Sequence, residues 1–354
     1  MPTINQLTIE NFRNLTHIVS DFSERFNVCF GVNGSGKTSL LEAIYYLGLG
    51  KSFRTAQCAR IVQHQHEHCR VIARITGNKT SLVGIERHQN GDRVIKHNGE
   101  FQNSMLALTR LIPIQFMSPM SYRFFHDGPK LRRSYLDWAL FHVEPSFLDV
   151  WQRFQRMLKQ RNSALKLQQD LMVWNTALAD AATLIDRMRS NLIPLLETNC
   201  FQQLQFLLPH FEFTLRYQRG WPQETELLSL LKSHRLRDQQ LGYTFYGPQR
   251  ADVQLFCNAI PVQDILSQGQ QKLAAYALHL ALGTLLQQTT DVSPVYLIDD
   301  LPSELDANSR FKITQTLNSL GAQVFITGIA REDLIDFLPF KQTRLFHVEH
   351  GNLA

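Results

Sequence analysis

Gly31-Val32-Asn33-Gly34-Ser35-Gly36-Lys37-Thr38 is the stretch whose reading decides the fold. It satisfies the Walker A pattern, G-x-x-x-x-G-K-[ST], at every constrained position. Its glycines let the backbone wrap a phosphate with N–H groups where a Cβ would obstruct. Lys37 brings a cation to the β and γ phosphates, and the Thr38 hydroxyl is placed to ligate Mg²⁺. The apolar run Phe26 to Phe30 predicts a strand entering this turn. A predicted helix over Ser39 to Leu47 leaves it, with its positive dipole end toward the same anion. The expected cofactors are therefore ATP and Mg²⁺, with Gly31, Val32, Asn33, Gly34, Ser35, Gly36, Lys37, Thr38 and Ser39 as nucleotide contacts.

Downstream, Val295-Tyr296-Leu297-Ile298-Asp299-Asp300 is a buried strand that ends in two carboxylates. A P-loop protein delivers its second Mg²⁺ contact from such a strand, here through Asp299. Asp300 is then placed to orient or deprotonate an attacking water. The segment Leu266-Ser267-Gln268-Gly269-Gln270-Gln271-Lys272 precedes Asp299 by 32 residues, counted from Ser267, and opens a helix with Ser267 as its N-cap. Alone it reads as a capped helix start. Between an insertion and a Walker B strand it looks like the signature motif of ABC-type ATPases. In that motif Ser267, Gly269 and Gln270 of one protomer would meet the γ-phosphate held by the partner. Ser303-Glu304-Leu305-Asp306 resembles the D-loop of the same superfamily. The histidine that usually senses the γ-phosphate would follow the next strand, and Thr327-Gly328 stands there instead. That replacement argues against rapid hydrolysis and against a transporter ATPase.

Periodicity supplies the rest of the organisation. Ile4 to Ile9 and the segments 69–76, 80–87 and 92–97 read as strands, with Asn90-Gly91 as a hairpin turn. From Lys130 the period becomes helical. Phe147, Trp151, Phe154, Leu158 and Leu165 mark one helix face, and Trp174 to Leu195 step by threes and fours. Two helices on the order of 20 residues, about 30 Å each, make a short arm. Strand character returns around Phe211 to Tyr217, and the last hundred residues alternate helix and strand. The expected architecture is α/β: an ABC/SMC-like P-loop ATPase head, 1–120 and 241–354, split by a mostly helical arm domain at 121–240.

Composition is that of a globular protein, 44% hydrophobic and 19% charged, with net charge +5. Acidic and polar residues stand where a signal peptide would need an apolar core, and apolar runs are short, so a soluble cytoplasmic protein with no membrane partner is expected. Cys29, Cys58, Cys69, Cys200 and Cys257 are scattered and never spaced as CxxC, which argues against disulfides and a structural zinc. His64, His66 and His68 alternate as metal ligands on a strand face would, or belong to a solvated edge. Gln115 is either a Mg²⁺-sensing glutamine or an ordinary strand residue. Segment 121–166 carries nine Lys or Arg against four acids, a surplus of five equal to that of the whole chain. Lys130, Arg132, Arg133, Arg153, Arg156 and Lys159 are the resulting candidates for DNA phosphate contacts.

The chain resembles the RecF family along nearly its whole length. The residues that carry the resemblance are Asn11-Phe12-Arg13-Asn14-Leu15, Lys51-Ser52-Phe53-Arg54-Thr55, Gly128-Pro129 with Arg132-Arg133 and Leu136-Asp137, Gly247-Pro248, Ser267 to Lys272, and Asp299 to Asp306. The resemblance implies an SMC-like head with a short arm that forms a homodimer on ATP and hydrolyses it slowly. It also implies binding to double-stranded and gapped DNA, and help in loading RecA recombinase with a RecR-type accessory protein. Gln249 and Ala251 depart from the family pattern, which carries His and Asp there. The alternative reading is a high-turnover ABC-type ATPase subunit of a transporter or nuclease complex.

Overall fold

The computed structural model describes residues 2–77, 79–303, 305–332, 334 and 342–354; Glu304 of the D-loop-like run lies outside them. The chain divides into two compact units, 1–121 with 272–354, and 122–271.

In the first unit, β1 (Thr3–Phe12) pairs antiparallel with β2 (Leu15–Asp21). The chain then leaves this sheet as β3 (Phe26–Phe30) and helix α1 (Lys37–Leu49). It returns as β4 (His68–Thr76), β5 (Ser81–His88), β6 (Arg93–His97) and β7 (Glu100–Phe101), giving the order β2-β1-β4-β5-β6-β7. Period-two alternation drives these strands: Cys69, Val71, Ala73 and Ile75 point into the core, and their neighbours point outward. Of the histidine run, His68 pairs across the sheet with His88, their rings 5.3 Å apart, while His64 and His66 precede the strand. Among the described residues no three His, Cys, Asp or Glu are grouped to hold a metal. Helix α2 (Leu106–Leu111) then leads to β8 (Ile114–Met117).

The second unit opens with α3 (Arg123–His126) and α4 (Pro129–Val143), followed by α5 (Phe147–Lys166) and α6 (Met172–Leu207). The last of these has 36 residues, not the expected twenty or so, and is about 54 Å long. It runs through Pro194 because Leu192, Leu196, Cys200, Leu204 and Leu207 keep the buried stripe going beyond it. Next come β9 (Phe213–Gln218), α7 (Leu227–Ser233), α8 (Arg235–Leu241), β10 (Asp252–Cys257), β11 (Ile260–Pro261) and α9 (Val262–Ile265). Because β10 pairs antiparallel with β9, residues 241–271 stay with this unit, so it ends at Gln271 and not at residue 240.

Two of the nine basic residues of segment 121–166 are internal. Arg132 donates from Nε to Asp252 Oδ1 (2.7 Å) and from Nη2 to Oδ2 (3.0 Å), and its Nη1 reaches the Asp127 carbonyl (2.9 Å). Arg161 is fully buried, donating to Asn175 Oδ1 (2.7 Å), Asp238 Oδ2 (2.7 Å), Thr244 Oγ1 (2.6 Å) and the Leu231 carbonyl (3.2 Å). One guanidinium thereby ties α5 to α6, α7 and α8.

The chain returns through α10 (Gln268–Thr290), β12 (Val295–Ile298), α11 (Ala307–Ser319), β13 (Val324–Gly328), β14 (Thr343–Glu349) and β15 (Asn352–Leu353). With β3 and β8 these strands build a second sheet, β15-β14-β3-β13-β12-β8, parallel from β14 to β8. Ile298 registers with Ile326, and Ile326 with Val28, so three strands end along one edge. Among the described residues no helix is long and apolar enough to cross a membrane.

Arg161→Met leaves Asp238 buried without its cation and should cost the second unit about 3–5 kcal/mol. Arg153→Ala, on the exposed face of the same helix, should change stability by less than about 0.5 kcal/mol. All four tryptophans (Trp138, Trp151, Trp174, Trp221) lie in this unit, so urea unfolding followed by tryptophan fluorescence measures both values.

Candidate functional site

The shared strand edge holds the site, as parallel sheets place their ligands beyond the carboxyl ends of the strands. The Walker A loop leaves β3 there. A Cβ on Gly31 would lie 2.2 Å from the Val348 carbonyl oxygen, and one on Gly36, at φ 122°, would lie 2.8 Å from Leu15 Cδ2. Among the described residues no side chain caps α1, so its first N–H groups stay open to an anion. Asn14 braces the loop, with Nδ2 donating to the Gly34 carbonyl (3.1 Å) and Oδ1 accepting from Ser39 Oγ (2.7 Å). Lys37 Nζ donates to the carbonyls of Gly31 (2.6 Å) and Val32 (2.9 Å) and is nearly buried. Burial lowers its pKa, against the opposing pull of Asp300 and Asp299.

Asp299 leaves the end of β12 in the same cleft. Thr38 Oγ1 donates toward both of its oxygens (3.0 and 3.2 Å), and Thr327 Oγ1 donates to Oδ1 (2.7 Å). Burial raises the Asp299 pKa above the usual carboxylate range, and these two hydroxyls pull it back. Thr327 Oγ1 also accepts from the Asp300 backbone N–H (2.9 Å), holding Asp300 at φ 51° in the left-handed region. Thr327, inside β13 rather than after it as the sequence suggests, thus positions both carboxylate residues. A hydroxyl and a carboxylate at contact distance are hard oxygen donors suited to Mg²⁺, and they adjoin a phosphate cradle. Thr38 and Asp299 therefore fit the metal that the motifs imply.

The cleft measures about 660 Å³, and Arg13, Arg54, Arg60, His64, Lys37 and Asp300 are among the residues lining it. Arg13 forms a bidentate pair with fully buried Glu42 on α1 (2.6 and 3.0 Å) and donates to the Arg60 carbonyl (2.6 Å). Ser52 Oγ also donates to Glu42 (2.5 Å), so both family-like N-terminal motifs converge on the Walker helix.

Other expected site residues lie elsewhere. Gln115 Oε1 sits 2.7 Å from His279 Nδ1, and Gln115 does not line the cleft, so it is an ordinary buried strand residue. Burial drops the His279 pKa to about 4 and keeps the ring neutral near pH 7. Ser267 and Gln270 form a reciprocal capping box. Ser267 N–H donates to Gln270 Oε1 (2.9 Å), and Gln270 N–H donates to Ser267 Oγ (3.4 Å). Ser267 and Gly269 are exposed, and no described atom lies within 4 Å of a Cβ built on Gly269. Asp306 caps α11 through Ser309 N–H (2.9 Å). Arg132 is withdrawn from the DNA candidates by its pairing with Asp252, and Arg133 is half-buried and donates to the Ala251 carbonyl (2.9 Å). Lys130, Arg153, Arg156 and Lys159 are exposed. Gln249 Nε2 donates to the carbonyls of Thr244 (3.2 Å) and Tyr246 (3.1 Å), a local turn-bracing role. Sequence reasoning assigns no role to Asn14, Arg13 or Glu42, although the Asn11 to Leu15 motif points at the first two.

These features define an SMC/ABC-like P-loop ATPase head carrying an insertion. The family model for the RecF/RecN/SMC N terminal domain matches residues 3–352. The chain is 44% identical over 358 residues to the DNA replication and repair protein RecF of Coxiella burnetii, covering 100% of this chain and 99% of that one. It is 40% identical over 357 residues to that of Vibrio cholerae, covering 98% of each. A solved structure described as the recombination mediator protein RecF-ATP in the RecFOR pathway superposes with TM-score 0.88 at 26% identity, over 100% of this chain and 97% of that one. An Smc head domain from Pyrococcus furiosus, at 13% identity and TM-score 0.60, shares the fold. The chain belongs to the RecF family.

Thr327→Val removes one hydroxyl that serves two partners, the Asp299 carboxylate and the Asp300 N–H. It should lower the stability of the first unit by about 1–3 kcal/mol. Thr327→Ser keeps both hydrogen bonds and should recover most of that loss in calorimetric melts.

Proposed function

We propose that this chain is an ATP-gated DNA-binding protein of recombinational repair and replication. The observation that carries the reading is the meeting of Thr38, Asp299 and Lys37 in one cleft beside the phosphate loop. On nucleotide binding, the Lys37 ammonium exchanges the Gly31 and Val32 carbonyls for β and γ phosphate oxygens. Thr38 and Asp299 would hold Mg²⁺, which supplies charge neutralisation at the β and γ phosphates. Asp300, aimed by Thr327, orients the attacking water and takes its proton. Turnover is slow because the described site offers a threonine where a fast ABC-type head carries a histidine. Hydrolysis then resets a switch rather than driving a motor.

In the dimer, the exposed Ser267 and Gly269 at the start of α10 face the ATP of the partner, with Gln270 holding the cap that presents them. Duplex or gapped DNA lies against the basic surface of the insertion, through Lys130, Arg153, Arg156 and Lys159. Family membership supports a role upstream of RecA loading together with a RecR-type accessory protein. A transporter subunit is disfavoured by the exposed basic face of α5 and by Thr327.

Lys37→Met should abolish ATP binding in a direct titration, and unchanged affinity would remove the Walker A assignment. Asp300→Asn should keep ATP binding, hydrolyse at least about tenfold more slowly, and accumulate an ATP-bound dimer. Hydrolysis at the wild-type rate would remove Asp300 as the base. Ser267→Arg should bind ATP as a monomer in sedimentation, because a bulky cation cannot replace an N-cap at a packed contact. An equally strong ATP-dependent dimer in that variant would rule out the trans arrangement.

A further inference from the structure

The surplus of five cations in 121–166 changes place once the internal ion pairs are known. Arg161 uses its charge inside, on Asp238, which takes a cation away from the α5 surface. The same pair removes the acid of α8 from the surface. Between Leu227 and Arg250 the charged residues are Lys232, Arg235, Arg237, Asp238 and Arg250. With Asp238 buried, four exposed cations remain in this stretch, and one exposed acid, Glu226, stands at the N-cap of α7. None of the four makes an ion pair among the described residues.

Two of these cations are preorganised. The Arg237 guanidinium lies 3.8 Å from the Phe245 ring centroid, and Arg250 lies 5.2 Å from that of Tyr243 and 5.6 Å from that of Phe245. Stacking on a ring fixes the guanidinium plane and leaves its N–H edge for a planar or tetrahedral oxyanion. Tyr243 is itself 38% exposed. The patch also continues onto α5. A Cβ on Gly242 would lie 3.9 Å from Lys166 Cε, and Lys166 shares a helix face with Lys159, two turns earlier.

We propose that α7, α8 and the turn from Tyr243 to Arg250 form a second phosphate-binding surface for duplex DNA, continuous with the Lys159–Lys166 face of α5. The inference rests on the DNA-binding reading above and adds where the backbone is gripped. Charge complementarity selects the partner: about 20 Å of α5 from Arg153 to Lys166 carries Arg153, Arg156, Lys159 and Lys166, and Gly242 at the end of α8 adjoins the last of them. Backbone phosphates follow one another every ~3.4 Å along each strand of duplex DNA.

The test is fluorescence anisotropy of the full chain with ATP and Mg²⁺ on a labelled gapped duplex, titrated across salt. Arg237→Gln with Arg250→Gln should weaken binding to every sequence and flatten the log–log salt slope by about 1.8, two phosphate contacts' worth. The charge-keeping pair Arg237→Lys with Arg250→Lys should retain the wild-type slope, which separates charge from any structural effect of unstacking. Arg153→Gln, Arg156→Gln and Lys159→Gln together should flatten the slope by about 2.7. If that triple variant loses affinity while Arg237→Gln with Arg250→Gln keeps the wild-type slope, this surface is overturned and the DNA reading stands; an acidic protein would then be its partner. Absence of salt-dependent DNA binding by the wild-type chain would overturn both.

Discussion

The parallel register of β3, β13 and β12 is the constraint on which the site depends. Val28, Ile326 and Ile298 lie abreast, so the residues that follow them emerge at one edge of the sheet. The phosphate loop follows β3, Thr327 lies near the end of β13, and Asp299 and Asp300 follow β12. A one-residue slip of β12 would turn Asp299 away from Thr38 and bury the wrong side chains. Such a slip is resisted because it would draw the Asp299 carboxylate into a strand whose residues Val295, Tyr296, Leu297 and Ile298 are all buried.

Thr327 shows how that register becomes chemistry. Its hydroxyl donates to the Asp299 carboxylate and accepts from the Asp300 amide, joining the two consecutive carboxylate residues that follow β12. Asn14 and the Arg13–Glu42 pair do comparable work behind the phosphate loop. These side-chain hydrogen bonds tie the phosphate loop to the turn after β1 and to the end of β12.

Much of this is legible in the sequence. Contiguous motifs report local geometry, so the Walker A loop, the Asp299-Asp300 strand end and the Ser267 cap can be read from spacing alone. Pairings between distant segments cannot. Nothing local to Arg161 or Arg132 says that each meets an aspartate far along the chain, so both read as surface charge. For the same reason the β9–β10 pairing, which moves the unit boundary past residue 241, is invisible to periodicity. Helix α6 reads as shorter than it is because the stepping read from the sequence stops at Leu195, whereas the buried stripe on both sides of Pro194 continues to Leu207 and outweighs one lost hydrogen bond.

The proposed metal seat is the point at which the register, Thr38, Asp299 and the phosphate cradle must all be right together. Electron paramagnetic resonance with Mn²⁺ in place of Mg²⁺, in the presence of ATP, counts and characterises ions held there. One tightly bound Mn²⁺ per chain is predicted, with the tight site lost in Asp299→Ala and retained in Thr327→Ser. Equal stoichiometry and affinity in Asp299→Ala and the wild-type chain would contradict the assignment of Asp299 and, with it, the arrangement of the site.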